Sequence, residues 1–221
     1  MLKKLFSYFI PINIYKRNSS ISKTLEITWA NGELVLDSGN TNYSYGSLQL
    51  ILRKGLRHIG FEKVAAMEHI LVLGVAGGSV VKTLVNEIQF KGKVTGVEID
   101  KEVIRMAHQY FKLHEIPNLE IIIDDAFEFV LKTKDKYDLI IIDIFQDTKM
   151  PTFLFEKFFA NRIGFLLRDR GFILFNTMIL KEIDNERNNL YIAEFDPNEF
   201  RVEKIPRVEH HNELLVIQKL S

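Results

Sequence analysis

From His69 onward the chain alternates short apolar runs with stretches of helical period: ILVLGV, a helix over Val80 to Gln89, KVTGVEI, a helix over Lys101 to Phe111, LEIIID, a helix over Ala126 to Thr133, and YDLIIIDI. Each run is apolar and largely β-branched along its length, as expected of a strand with helices on both faces. Strands joined by helices run parallel, so the fold class is α/β, a doubly wound, mostly parallel sheet. A long helix over 151–167 and the strand GFILFN extend it. FRVEKIPRV and ELLVIQKL, separated by EHHN, close it as an antiparallel pair. Residues 181–195 carry no clear pattern.

The first fifty residues read differently. In LEITWANGELVLD, Asn31-Gly32 sits between two alternating runs and predicts a two-residue type I′ hairpin, in which Trp29 pairs with Leu34 and Ile27 with Leu36. From Ser47 the period becomes helical, with Leu48, Ile51, Leu52, Leu56 and Ile59 on one side. The opening MLKKLFSYFIPINIYKR has basic residues before an apolar run, but Pro11 breaks it at about half the length of a membrane span and no small-residue cleavage site follows. An N-terminal strand packed on the domain is expected there, with no membrane partner. Lys+Arg and Asp+Glu stand at 29 each, so no global field draws in nucleic acid. The chain has no cysteine, which excludes disulfides and thiolate metal sites and fits a cytoplasmic location.

In an open α/β sheet the ligand lies beyond the carboxyl ends of the strands. The first strand of the alternation ends in Gly74-Val75-Ala76-Gly77-Gly78-Ser79, the second in Glu98-Ile99-Asp100, the third in Asp124-Asp125 and the fourth in Asp143, with Asp147 close behind. Six carboxylates are therefore expected on one rim. Glu98 stands at about the distance from Gly74 expected of an acid that accepts ribose hydroxyls. A dinucleotide fits poorly, because Ala76 replaces the glycine that lets backbone approach a pyrophosphate, and the acids repel an anion. A nicotinamide enzyme is thereby disfavoured. S-adenosylmethionine suits the rim better: it offers a ribose to Glu98, an adenine amino group to Asp124 or Asp125, and two cationic centres to the remaining acids. Asp100 and Asp125 each precede a helix and also read as N-caps. His210 and His211 read as turn residues, and no metal ligand set is expected.

These residues resemble the spermidine synthases (polyamine aminopropyltransferases) and the spermidine-synthase-like members of the class I methyltransferase superfamily. VLGVAGGSVVKTL resembles that family's glycine loop, VTGVEIDKEVIRMAHQYF its second strand and helix, and IIIDDAFEFV and YDLIIID its third and fourth strands. LVLDSGNTNYSYG resembles the end of its N-terminal β-domain and gate, and LFEKFFANRIGFLLRDRGFIL its later helix and strand. The resemblance implies a small N-terminal β-module over residues 1–45 and a Rossmann-like S-adenosylmethionine-binding domain over 46–221. It implies an adenosyl ligand, S-adenosylmethionine or its decarboxylated form, held by Gly74, Val75, Ala76, Gly77, Glu98, Ile99, Asp124, Asp125, Ala126 and Asp143. Asp143, Asp147 and Tyr45 fall at the reaction centre, a small amine-bearing acceptor is the partner, and a homodimer is compatible with the family. The chain departs from the family at Gly77, where an Asp is usual, at Gln146, where a second Asp is usual, and at Gly46-Ser47, where a His-Glu is usual. These departures fall on the acceptor side, so methyl transfer is placed slightly ahead of aminopropyl transfer, with a non-catalytic adenosyl-binding protein as a further alternative.

Overall fold

The computed structural model describes residues 2–38, 41–44, 47–145, 149–209 and 211–221. A short helix α1 (Leu2–Phe6) precedes an antiparallel sheet of four strands in sequence order, β1 (Ile12–Ser19), β2 (Lys23–Ala30), β3 (Glu33–Ser38) and β4 (Thr41–Ser44). The N-terminal strand therefore begins only after Pro11. The apolar run before it is a short helix followed by a turn and is largely solvent-facing, with Phe9 83% exposed. The Asn31-Gly32 hairpin forms as the sequence predicts: both residues have positive φ, and Trp29 pairs with Leu34 and Ile27 with Leu36.

Helices α2 (Ser47–Ile59) and α3 (Phe61–Ala65) lead into the alternating part, β5 (His69–Leu73), α4 (Ser79–Lys82), β6 (Lys93–Glu98), α5 (Lys101–Phe111), β7 (Leu119–Ile123), α6 (Ala126–Lys132) and β8 (Tyr137–Ile142). A π turn over Thr83–Glu87 continues α4. The helix expected over 151–167 is broken at Glu156 into a 3₁₀ turn, Thr152–Phe155, and α7 (Lys157–Leu166). Then come β9 (Leu167–Met178), α8 (Glu182–Ala193), β10 (Phe200–Val208) and β11 (Asn212–Lys219). The large sheet has seven strands in the order β10-β11-β9-β8-β5-β6-β7, parallel from β9 to β7 and antiparallel at β10 and β11.

Alternation along the central strands divides the core in two. Ile70, Val72, Leu139 and Ile141 face α2, α4 and α5, whereas Leu71, Leu73, Ile140 and Ile142 face α6, α7 and α8. A run buried on both faces has no polar side, which is why these strands read as continuous apolar segments.

The four-stranded sheet lies against α5. Leu25, Ile27 and Leu36 pack on Val103, Met106 and Phe111. A polar lock closes the same contact: the Ser19 and Ser22 hydroxyls donate to Asp100 Oδ2 at 2.5 and 2.6 Å, and Arg17 pairs with Glu102 at 2.8 Å. Burial raises the Asp100 carboxyl, but the two hydroxyls and the first N–H groups of α5 together outweigh it and hold the group below its ordinary range.

Candidate active site

The rim is assembled around the glycine turn. The Gly74 N–H donates to Val97 O at 3.0 Å and the Asp143 N–H to Leu73 O at 2.9 Å, so the end of β5 is stitched to the ends of β6 and β8. Gly74 has φ +88°, and a Cβ there would lie 2.2 Å from the Asp143 carbonyl oxygen. Only glycine fits between them. Val75 turns its side chain into the core, against Gly96. Ala76 takes φ +47°, and Gly78 caps α4 in the left-handed region. Gly77 is buried in the turn between them.

Glu98 braces this turn from below. Its Oε2 accepts the Ala76 N–H at 3.0 Å and its Oε1 the Asp100 N–H at 3.1 Å. Burial raises its carboxyl above the ordinary range, and the Asp100, Ala76 and Ile99 N–H groups oppose that shift. Each oxygen retains capacity for a further donor, so the group can receive a vicinal diol while it holds the loop.

The acids expected on the rim separate into two groups. Asp100 is turned away from it, buried against the N-terminal sheet and capping α5 through the Glu102 N–H at 2.9 Å. Asp125 caps α6 through the Phe127 N–H at 2.7 Å. Both N-cap readings are met; Asp100 is engaged at both oxygens, whereas Asp125 uses only Oδ1 for its cap. Asp124 stays at the rim with Oδ1 on the Asp125 N–H at 2.9 Å, and Ala126 opens α6 beside it. Ile99 and Ile123, 42% and 48% exposed, set apolar side chains at the ends of β6 and β7. The crowd of six carboxylates thus reduces, among the described residues, to Glu98, Asp124, Asp143 and the second oxygen of Asp125. Tyr45, Gln146 and Asp147 lie outside the described residues, as does His210.

Asp143 closes β8. Burial pushes its carboxyl up to about 6, and a hydrogen bond from the Asn176 amide pulls it back. Asn176 Nδ2 donates to Asp143 Oδ1 at 2.9 Å, and Asn212 Nδ2 in turn donates to Asn176 Oδ1 at 2.9 Å. Neither asparagine stands out in the sequence; the signal available was a polar residue ending one apolar strand and another opening the next.

Among curated relatives, the polyamine aminopropyltransferase of Buchnera aphidicola from Schizaphis graminum is 31% identical over 100 residues, covering 43% of this chain and 35% of the relative. That of Vibrio vulnificus is 29% identical over 143 residues, covering 63% of this chain and 47% of the relative. The chain spans less than half the length of these relatives. Spermidine synthase from Thermotoga maritima superposes with a TM-score of 0.71 at 20% identity, over 95% of this chain and 73% of that one. Human methyltransferase-like protein 13, in complex with SAH, does so at 0.60 and 18% identity, over 79% of each chain. At those identities the likeness is one of fold, the Rossmann-like methyltransferase fold. The spermine/spermidine synthase domain matches residues 50–188, from α2 through α8 and therefore across the whole rim, and the chain belongs to that family.

Proposed function

We propose that this protein transfers an aminopropyl group from decarboxylated S-adenosylmethionine to a small amine. The curated relatives carry the aminopropyltransferase name, and the methyltransferases among the solved neighbours bear on fold alone, so aminopropyl transfer displaces the methyl transfer placed first from the sequence. The observation that carries the reading is the half-buried carboxylate of Asp143 at the end of β8, across the glycine turn from Glu98 and held by Asn176. A neutral amine nitrogen attacks the aminopropyl carbon next to the sulfonium. The carbon–sulfur bond breaks, its electron pair stays on sulfur, and methylthioadenosine leaves. The proton shed by the new ammonium passes to Asp143, which is ionised above a pH of about 6. Glu98 holds the ribose, Asp124 the adenine amino group, and the Gly74–Gly77 turn lets backbone approach the nucleoside.

The test is incubation with the decarboxylated donor and a panel of diamines and polyamines. Methylthioadenosine should appear. Formation of S-adenosylhomocysteine from the full cofactor instead, or affinity for the full cofactor tenfold higher (about 1.4 kcal/mol), would overturn the assignment. Gly77 makes that comparison informative, since an Asp at this position would repel a methionine carboxylate.

Glu98→Gln separates binding from scaffold. The amide offers one acceptor where the carboxylate offers two, so either the Ala76 or the Asp100 N–H loses its partner. Affinity for methylthioadenosine should fall by about 1 to 3 kcal/mol, read by calorimetry on protein that still melts cooperatively. Unchanged affinity removes Glu98 from the nucleoside site.

A further inference from the structure

Asp143, Asn176 and Asn212 come from three adjacent strands and form one chain of hydrogen bonds. Strand register puts them together. Ile142 pairs with Phe175 in the parallel β8–β9 ladder, which brings the next residues, Asp143 and Asn176, side by side. Across the antiparallel β9–β11 ladder Asn212 pairs with Met178 and Leu214 with Asn176, so Asn212 is the diagonal neighbour of Asn176 on the same face. Asn176 is 1% exposed and Asn212 6%, so solvent offers little competition to either bond.

A carboxamide has a donor end and an acceptor end, and which end faces a neighbour depends on the rest of the network. Asn212 donates to the oxygen of Asn176, which commits the Asn176 NH₂ group to Asp143. We infer that Asn176 and Asn212 are positioning residues that hold Asp143 with Oδ1 occupied and Oδ2 presented to the acceptor amine. The inference rests on the proposed role of Asp143 as the group that receives the proton. The same bond favours the charged carboxylate against its own burial. Among the described residues no charged side chain contributes to the titration of Asp143, which is moved by burial and by the Asn176 amide.

Asn176→Leu removes the donor with little change in volume, and Asn212→Ala leaves Asn176 in place but releases its orientation. Carboxyl-carbon NMR titration of Asp143 in the free protein reads the effect without requiring turnover. Asn176→Leu should raise the midpoint by about one unit, the scale of one charge-assisted hydrogen bond, and Asn212→Ala should raise it by less. Turnover at pH 7 should fall about tenfold or more in Asn176→Leu, with KM for the decarboxylated donor within about twofold. If Asn176→Leu fails to fold, Asn212→Ala decides. Midpoints unmoved in the folded variants overturn the relay even if the wild type transfers aminopropyl groups. A raised midpoint in a protein that transfers none upholds the relay and refutes the proposed reaction instead.

Discussion

Asp143→Asn should give a protein that folds, binds the nucleoside, fails to turn over, and is more stable than the wild type at pH 8. Loss of the proposed proton acceptor is expected to lower the rate about a hundredfold to ten-thousandfold, with methylthioadenosine affinity nearly unchanged, because on that proposal the group acts mainly in the transition state. The gain in stability follows from the titration. The folded-state carboxyl is raised from 3.8 to about 6, so the folded protein holds this proton more tightly than the unfolded chain does. Its contribution to stability is present in full below the unfolded value. It is lost as pH rises through about 4 to 6 and stays lost above that. The asparagine does not titrate and keeps an oxygen for the Asn176 amide. The variant should therefore pull ahead of the wild type across that window and level off at about 2 to 3 kcal/mol. Asp37 is raised to about 6 by burial and by Glu26, and titrates in the same window. The difference between the two proteins cancels it. Urea unfolding from pH 3.5 to 8 measures the gap; a gap flat across that range would show that the folded protein does not raise the Asp143 carboxyl.

Gly74→Ala carries the largest expected cost in stability. Its methyl group meets a backbone oxygen, which cannot swing aside as a side chain can, and the φ of +88° is itself unfavourable for alanine. Strain and displaced strand ends together should cost about 2 to 4 kcal/mol. The clash falls on Asp143, so activity should drop further than partial unfolding accounts for. A loss under about 0.5 kcal/mol would mean that β5 and β8 do not approach as described.

Much of this was legible in the residues. The Asn31-Gly32 hairpin, the alternation from His69 and the caps at Asp100 and Asp125 are local signals, and tertiary structure leaves them in place. Helix α8 was not legible, because its burial inverts the usual code: Asn188 and Tyr191 are buried while Ile183 and Leu190 are 67% and 72% exposed. The buried face is polar because Asn188 donates to Thr177 and Glu213, a demand that periodicity does not reveal. The rim was overcounted for a related reason. Sequence places acids at strand ends, but only packing decides that Asp100 faces Ser19 and Ser22 while Asp143 stays at the site. The relay from Asn212 depends on the register of two strands far apart in the chain, and no short-range pattern encodes it.

The polar lock at Asp100 also links two parts of the protein energetically. Glu98 and Asp100 share a hydrogen bond and one short stretch of backbone: one carboxylate faces the glycine turn, the other the N-terminal sheet. Linkage is reciprocal, so free energy that a ligand spends on ordering this stretch returns as tighter seating of the sheet, and a loosened seat appears as weaker binding. On the proposed reading of Glu98 as the ribose acceptor, the N-terminal sheet is energetically tied to the nucleoside through the three residues Glu98-Ile99-Asp100.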